Sequence, residues 1–286
     1  MTILEALVLG VVQGLTEFLP ISSTAHLRLV PALLGWQDPG AALSAVLQCG
    51  TLVAACTALR HDIARLAAGL WTGLRTGRPL ALPEARLALL IAAGTLPIVV
   101  VGFAARHLIR GEARRLDVVA AALVAGSLLM AAAELACRRR PAGRAGLDRV
   151  GVVDGGVMGL LQCLALVPGV SRSGATISAG MLTGLDRGTA ARFSFLLSLP
   201  AVAAAGALEA WQQRHEILGS ASAVAAAAVG VAAAALAGHV SIRWLLRQLG
   251  SRTLWPFILY RLLIAGLLVA GLVAAGGQAS VTAAGR

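Results

Sequence analysis

A dense group of polar side chains stands inside an otherwise apolar stretch near the start of the chain. From position 13 to position 26 the sequence reads Gln-Gly-Leu-Thr-Glu-Phe-Leu-Pro-Ile-Ser-Ser-Thr-Ala-His. Gln13 and Glu17 are four residues apart, so a helix presents both on one face. Pro20 then breaks that helix, because it lacks a backbone N–H and its ring clashes with the preceding turn. So much polarity in an apolar segment indicates a functional site.

Hydroxyl side chains of the types that begin helices follow this break, namely Ser22, Ser23 and Thr24. The unpaired N–H groups and the positive dipole end of such a helix form a binding site for an anion. His26 lies in the first turn of the new helix. Its imidazole could serve as a base, a nucleophile or a phosphate ligand.

A second break of the same kind lies in the other half of the chain, where positions 168 to 176 read Pro-Gly-Val-Ser-Arg-Ser-Gly-Ala-Thr. Arg172 stands there between two apolar stretches, and an arginine near the centre of a bilayer costs about 2.5–3.5 kcal/mol on insertion scales. We therefore expect it to face a polar cavity and an anionic partner. Phosphate suits a guanidinium fork. The predicted phosphate-binding hydroxyls here are Ser171, Ser173 and Thr176.

The composition is that of a polytopic membrane protein. Hydrophobic residues make up 58% of the chain and charged residues 13%, and the mean hydropathy is +0.83. All 24 basic residues are arginine, and they give a formal net charge of +11. Most of them stand at the ends of apolar runs, where determinants of membrane topology belong, so we predict no nucleic-acid partner.

The apolar pattern predicts an all-α fold with two broken helix pairs. The pieces on either side of Pro20, and those of a second pair over about 154–185, are each shorter than the roughly 20 residues needed to span a bilayer. We therefore predict re-entrant pairs, whose irregular backbone is tolerated only where it lines a cavity. Three apolar spans follow each pair, at about 41–59, 87–105 and 116–137, and at about 193–211, 219–240 and 254–275.

The two halves of the chain also resemble each other at an offset of 149 residues. The matches pair Gly10 with Gly159, Gln13 with Gln162, Leu15 with Leu164, and Ser22 with Ser171. Three spans after each broken pair, an odd number, invert the second half relative to the first. We predict one membrane domain, residues 1–286, built from two inverted-topology repeats of about 1–150 and 151–286, with the site at the midplane between them.

Arginine counts predict the orientation in the membrane. Fifteen arginines fall on the predicted side opposite the termini, and six fall on the side of the termini. The positive-inside rule therefore makes the arginine-rich side cytoplasmic and places both termini outside. Three further polar residues lie within the predicted spans. Glu134 is expected to reach the headgroup layer, whereas Arg261, next to Tyr260, could either reach the interface or line the cavity and pair with Glu17 or phosphate.

Both motifs resemble those of the undecaprenyl-pyrophosphate phosphatase family, also called bacitracin-resistance proteins. The resemblance implies hydrolysis of undecaprenyl pyrophosphate to the monophosphate carrier lipid used in cell-wall synthesis. It also implies a divalent cation, Mg²⁺ or Ca²⁺, and a site open to the outer, periplasmic face of the bacterial inner membrane. This chain has Gln13 where many members have glutamate, and Ala25 replaces a usual glycine. The first departure leaves Glu17 as the one carboxylate of the motif.

Splitting a pyrophosphate needs positive charge over the terminal phosphoryl group and a positioned nucleophile. Arg172 is predicted to hold phosphate oxygens, and Glu17 to bind the cation or act as a base. Gln13 could be a neutral cation ligand or an interhelical hydrogen-bonding group. We favour Ser23 as nucleophile, activated by Glu17 or His26, with His26 itself and direct attack by water as alternatives.

Two further possibilities stay open at this point. Broken helices between inverted repeats also occur in transporters, so a transporter or flippase for a polyprenyl phosphate lipid is the rival function. Two copies of the chain could also associate as a homodimer. Beyond these, we expect a polyprenyl pyrophosphate substrate and the surrounding bilayer as the partners.

Overall fold

The computed structural model describes residues 2–37, 40–106, 115–140 and 143–284. Within these ranges the chain is helical, and its extended structure is limited to one bridge between Arg144 and Leu185. The helices are α1 Ile3–Phe18, α2 Ser23–Leu34, α3 Gly40–Ala58, α4 Arg60–Arg75, α5 Pro83–Ala104, α6 Leu116–Arg138, α7 Val152–Gln162, α8 Arg172–Thr183, α9 Arg187–Gln212, α10 Arg214–Ile217, α11 Ala221–Leu249 and α12 Trp255–Ala284. Short 3₁₀ turns occupy Leu147–Arg149 and Cys163–Leu166. The predicted all-α class is confirmed.

Five helices are long and apolar enough to cross a membrane: α5, α6, α9, α11 and α12. A sixth, α3, continues into α4 through a bend of 76°. All six predicted spans therefore coincide with helices, and the chain is a multi-pass membrane protein. We did not predict α4. Its arginines made residues 60–75 read as a connection, whereas in the structure they form a helix that packs against α5.

Both predicted helix breaks are present. The helix α1 ends at Phe18 and α2 begins at Ser23, so the first break contains Pro20. The second break follows the 3₁₀ turn and contains Pro168 and Gly169, where φ is +107°. A Cβ atom on Gly180 of α8 would meet Met158 of α7, so these two helices pack side by side as a hairpin. The inverted relation between the two halves stays a prediction.

The helix α1 of the first broken pair is fixed in place by close packing against α11. A Cβ atom at Gly14 would lie 2.6 Å from the carbonyl oxygen of Ala234 and 2.7 Å from the backbone nitrogen of Gly238. Ser241 of α11 also donates a hydrogen bond of 3.0 Å to the carbonyl of Leu15. Small residues at this crossing let the two backbones approach, as is usual between membrane helices. The end of α1, which carries Glu17, is therefore held against a long span.

Three paired carboxylates join the loops and helix ends that were predicted to face the cytoplasm: Asp62 with Arg192, Asp154 with Arg144, and Glu134 with Arg187. The prediction that Glu134 reaches the headgroup layer is wrong. Its side chain is fully buried, and it also accepts a hydrogen bond of 2.6 Å from the backbone N–H of Leu254. A carboxylate with an arginine fork and a backbone donor is satisfied inside the protein and has no need of the interface.

We predict that Gly14→Ala destabilises the protein, because the added methyl group would overlap the backbone of α11. Overpacking of a close helix contact costs about 1–3 kcal/mol. Thermal unfolding of the detergent-purified variants measures this loss. The matched control is Gly266→Ala in α12, where a Cβ atom meets nothing within 4 Å. Equal melting temperatures for both variants would contradict the packing described here.

Candidate active site

The two breaks meet at an ion pair between the end of α1 and the start of α8. Nη2 of Arg172 lies 3.0 Å from Oε1 of Glu17, and both side chains are mostly buried. The expectation that Arg172 has an anionic partner is confirmed, and the partner belongs to the other predicted half of the chain. A second contact of Arg172, from Nη1 to the carbonyl of Ser198, is long at 3.5 Å. Among the described residues, most N–H donors of this guanidinium therefore have no partner and can bind an anionic ligand.

The second oxygen of Glu17 holds the first residue of α2. Oγ of Ser23 donates a hydrogen bond of 2.6 Å to Oε2, which also accepts one of 3.1 Å from Nε2 of Gln13. A hydroxyl hydrogen-bonded to a carboxylate is the arrangement in which a base activates a nucleophile. The structure thus brings the predicted nucleophile and base together, although they are separated by the break in the chain.

The residues just before α2 and α8 have the same unusual backbone conformation. Ser22 and Ser171 both have φ of +74°, a region that side-chain-bearing residues rarely adopt, and such strain costs on the order of 1–3 kcal/mol each. Oγ of Ser171 accepts a hydrogen bond from the N–H of Gly174, whereas the side chain of Ser22 makes no such cap. The N–H groups in the first turn of α2 are therefore left for a ligand.

A cavity of about 210 Å³ lies over these groups. Its polar side is lined by Glu17, Ser22, Ser23, Thr24, Gln48, Ser171 and Arg172. Its apolar side is lined by residues of α5, of the second break and of α9, including Ile98, Leu166, Val167, Ala201, Val202 and Ala205. Sequence reasoning missed Gln48, although a polar side chain inside the apolar span α3 was a signal for it.

Two predicted phosphate-binding hydroxyls are instead engaged with the protein. Ser173 is buried, and its Oγ donates a hydrogen bond of 3.1 Å to the carbonyl of Leu19, which links the second break to the first. Thr176 is fully buried, and its hydroxyl binds the carbonyl of Arg172 and the hydroxyl of Ser194. The structure does not place either hydroxyl at the cavity wall.

His26 lies in the first turn of α2, as predicted, but it contacts neither Ser23 nor Glu17 through a hydrogen bond. Its Nδ1 is 2.8 Å from the carbonyl of Ser22, and its Nε2 is 2.6 Å from the hydroxyl of Tyr260. Since a carbonyl only accepts, Nδ1 carries a proton, and in the neutral ring Nε2 accepts from the tyrosine. This arrangement makes His26 a support for the strained Ser22.

Comparison with known proteins identifies the family of the chain. The family model described as bacitracin resistance protein BacA matches residues 6–267, nearly the whole chain. The chain belongs to the bacitracin resistance protein BacA family. An undecaprenyl-diphosphatase of Chlorobaculum tepidum is 47% identical over 267 residues, covering 92% of this chain and 95% of that protein. Another, from Chlorobium phaeobacteroides (strain DSM 266), is 45% identical over 289 residues and covers 100% of this chain and 99% of its own length.

In this BacA-family chain, Arg261 neither reaches the interface nor pairs with Glu17, and its pairing with phosphate stays a prediction. The side chain is fully buried, so it does not reach the interface, and its hydrogen bonds go to neutral oxygens and not to Glu17. These acceptors are Ser127 Oγ and the carbonyls of Pro20, Leu123 and Gly169. The sequence offered only an isolated arginine in a span, and its acceptors come from three distant segments.

The donor set around Glu17 fits the divalent cation that the family resemblance implies. Oε1 of Gln13 is buried and has no hydrogen-bond partner among the described residues, so it can serve as a neutral ligand beside the carboxylate. The described residues contain no cluster of three His, Cys, Asp or Glu side chains that could hold a metal alone. Mg²⁺ commonly binds through one or two carboxylates and completes its coordination with substrate phosphates and water.

We predict strong energetic coupling between Glu17 and Arg172, because removing one partner leaves the other charge in a mostly buried site. In a double-mutant cycle with Glu17→Gln and Arg172→Gln, the coupling energy should be about 0.5–3 kcal/mol. Thermal unfolding of the four proteins in detergent measures it. Additive losses of stability would show that the two charges do not interact in the membrane protein.

Proposed function

We propose that the chain is an undecaprenyl-diphosphatase that hydrolyses undecaprenyl pyrophosphate to undecaprenyl phosphate and inorganic phosphate, and so recycles the carrier lipid of cell-wall synthesis. The observation that carries the proposal is the contact of Ser23 with Glu17 beside Arg172 in one cavity. Membership of the family and the names of the relatives support the same activity. They do not favour the transporter alternative.

The two sides of the cavity match the two parts of such a substrate. Arg172 and the first-turn N–H groups of α2 offer positive charge and donors to the pyrophosphate. The apolar side, lined by α5 and α9, suits the first part of a prenyl chain that continues into the bilayer. A lipid pyrophosphate is therefore a better match to this cavity than a free anion, which would leave the apolar side without a partner.

The reaction begins with attack of Ser23 Oγ on the terminal phosphorus. As the new O–P bond forms, Oε2 of Glu17 takes the hydroxyl proton, and the bond from that phosphorus to the bridging oxygen breaks. Its electron pair stays on undecaprenyl phosphate, which is a good leaving group and needs little protonation. Arg172 and the start of α2 stabilise the charge on the transferring phosphoryl group.

A second step restores the enzyme. Water attacks the phosphoserine phosphorus, the bond to Ser23 Oγ breaks, and Glu17 returns its proton to the serine oxygen. The protons of the attacking water leave with inorganic phosphate. A divalent cation held by Glu17 and Gln13 would supply further positive charge over the phosphate oxygens. His26 holds the Ser22 carbonyl, and so orients the start of α2 that presents the nucleophile.

We also propose that the protein lies in the bacterial inner membrane with this cavity open to the periplasm, as the family resemblance implies, in the orientation that the arginine distribution favours. That distribution places both termini outside. A homodimer stays a prediction, since the contacts described here lie within one chain.

We predict that detergent-purified protein releases phosphate from a polyprenyl pyrophosphate with Mg²⁺ or Ca²⁺ and stops when EDTA removes the cation. Ser23→Ala and Glu17→Gln should each lower kcat at least about a hundredfold, because each removes half of the nucleophile–base pair. Ser251→Ala, an exposed serine outside the cavity, is the control and should keep full activity. Wild-type rates in the Ser23→Ala protein would rule out the serine mechanism.

We further predict a covalent phosphoserine at position 23. Rapid quenching after mixing with substrate labelled in the terminal phosphate should give labelled protein, and mass spectrometry should place the label on Ser23. Phosphoserine survives acid, whereas phosphohistidine does not. Label found on His26 after an alkaline quench but lost after an acid quench would select the histidine as nucleophile. Active protein that carries label after neither quench would select direct attack by water.

For the orientation, we predict that an epitope tag at the C-terminus is accessible to antibody in intact spheroplasts. A tag inserted in the connection between α6 and α7 should react only after the membrane is permeabilised, because the arginine count places that connection inside. Protection of the C-terminal tag in intact spheroplasts would contradict the proposed orientation.

A further inference from the structure

The buried guanidinium of Arg261 binds both helix breaks at once. Its Nη1 donates to the carbonyl of Pro20 in the first break, at 3.3 Å, and its Nη2 donates to the carbonyl of Gly169 in the second break, at 3.0 Å. The other two bonds, to Ser127 Oγ at 3.0 Å and the Leu123 carbonyl at 3.1 Å, fix the same head group to α6. One side chain of α12 therefore sets the distance between the two parts of the cavity.

The surrounding helix leaves room for this head group. A Cβ atom on Gly126 of α6 would overlap Nη2 of Arg261 and the carbonyl of Val170. Only a glycine lets α6, the guanidinium and the second break come this close. The backbone behind the cavity is thus closely packed around the guanidinium of Arg261.

Among the described residues, the charge of Arg261 has no anionic partner. Each oxygen that accepts from it belongs to a hydroxyl or a carbonyl, and within the described residues no carboxylate lies within ion-pair distance. Glu17, the carboxylate of the cavity, is already paired with Arg172. A buried cation without an anionic partner is costly, so its retention beside a cavity wall indicates a ligand of opposite charge.

We propose that Arg261 is a positioning residue of the phosphate site. It holds the two breaks at a fixed separation through Pro20 and Gly169, and its positive charge lies directly behind Gly169, which lines the cavity. The pyrophosphate of the substrate is the counter-ion of this charge, across one peptide group. The proposal rests on the proposed phosphatase function and adds a second cation to Arg172.

Four variants separate the charge of Arg261 from its hydrogen-bond fork. Arg261→Gln removes both the charge and the fork, whereas Arg261→Lys keeps the charge and loses the fork. Ser127→Ala removes one acceptor of the fork with little change in volume. Arg243→Gln, on the exposed face of α11, removes the same charge far from these contacts and is the control. For each folded protein, kcat and KM for a polyprenyl pyrophosphate and the Kd of inorganic pyrophosphate are measured.

We expect Arg261→Gln to weaken pyrophosphate binding at least tenfold and to lower kcat. Arg261→Lys should keep pyrophosphate binding within a few fold of wild type but still lower kcat, because the breaks lose their common support. Ser127→Ala should lower kcat in the same direction, and Arg243→Gln should change neither constant. If Arg261→Gln does not fold, Arg261→Lys and Ser127→Ala decide the question through kcat.

Wild-type kcat, KM and Kd in the Lys and Ser127 variants, or in Arg261→Gln, would overturn the proposal and leave Arg261 a structural residue. A failure of the proposed function looks different. In that case wild-type protein would release no phosphate yet still bind pyrophosphate, with binding lost in Arg261→Gln. Wild-type protein that does not bind pyrophosphate would also overturn the proposal.

Discussion

A helix that breaks inside a membrane leaves backbone carbonyl and N–H groups without partners, and the bilayer has no water to satisfy them. This chain has two such breaks and brings them together, so that their unpaired groups face a common region. Arg261 donates hydrogen bonds to carbonyls of both breaks, and Ser173, after the second break, donates one to the carbonyl of Leu19 in the first. The first-turn N–H groups of α2 are left without a partner from the side chain of Ser22, and a phosphate can accept hydrogen bonds from them. The need to satisfy the backbone thus produces the anion site.

Charge is distributed around this site in a consistent way. Glu17 and Arg172 offset each other while each also faces the cavity, and the carboxylate keeps an oxygen for the hydroxyl of Ser23. When a pyrophosphate binds the donors of Arg172, Glu17 still accepts hydrogen bonds from Ser23 and Gln13, so its carboxylate is not left without partners. The strained backbone at Ser22 and Ser171 persists because its neighbours hold it, through His26 in the first case and the cap to Gly174 in the second.

The sequence predicted the breaks and the ion pair because those depend on local chemistry. Pro20 and Pro168 each stand directly before residues that start a new helix, unlike Pro31, Pro97 and Pro200, which lie inside helices. An arginine between apolar stretches favours an anionic partner. It did not predict which hydroxyls reach the cavity, because this depends on the direction in which each helix leaves its break. Ser173 and Thr176 point into the protein for that reason. The contacts of Tyr260 with His26 and of Arg261 with both breaks join segments more than 90 residues apart, and no local pattern encodes them.

The most direct test is a structure of the protein with a non-hydrolysable polyprenyl methylene-diphosphonate and a divalent cation. We predict that the terminal phosphonate lies within hydrogen-bond distance of Arg172 and the first turn of α2, with its phosphorus about 3–3.5 Å from Ser23 Oγ and in line with the bridging carbon. A terminal phosphonate held elsewhere, or one approached in line by His26 and not by Ser23, would contradict this mechanism.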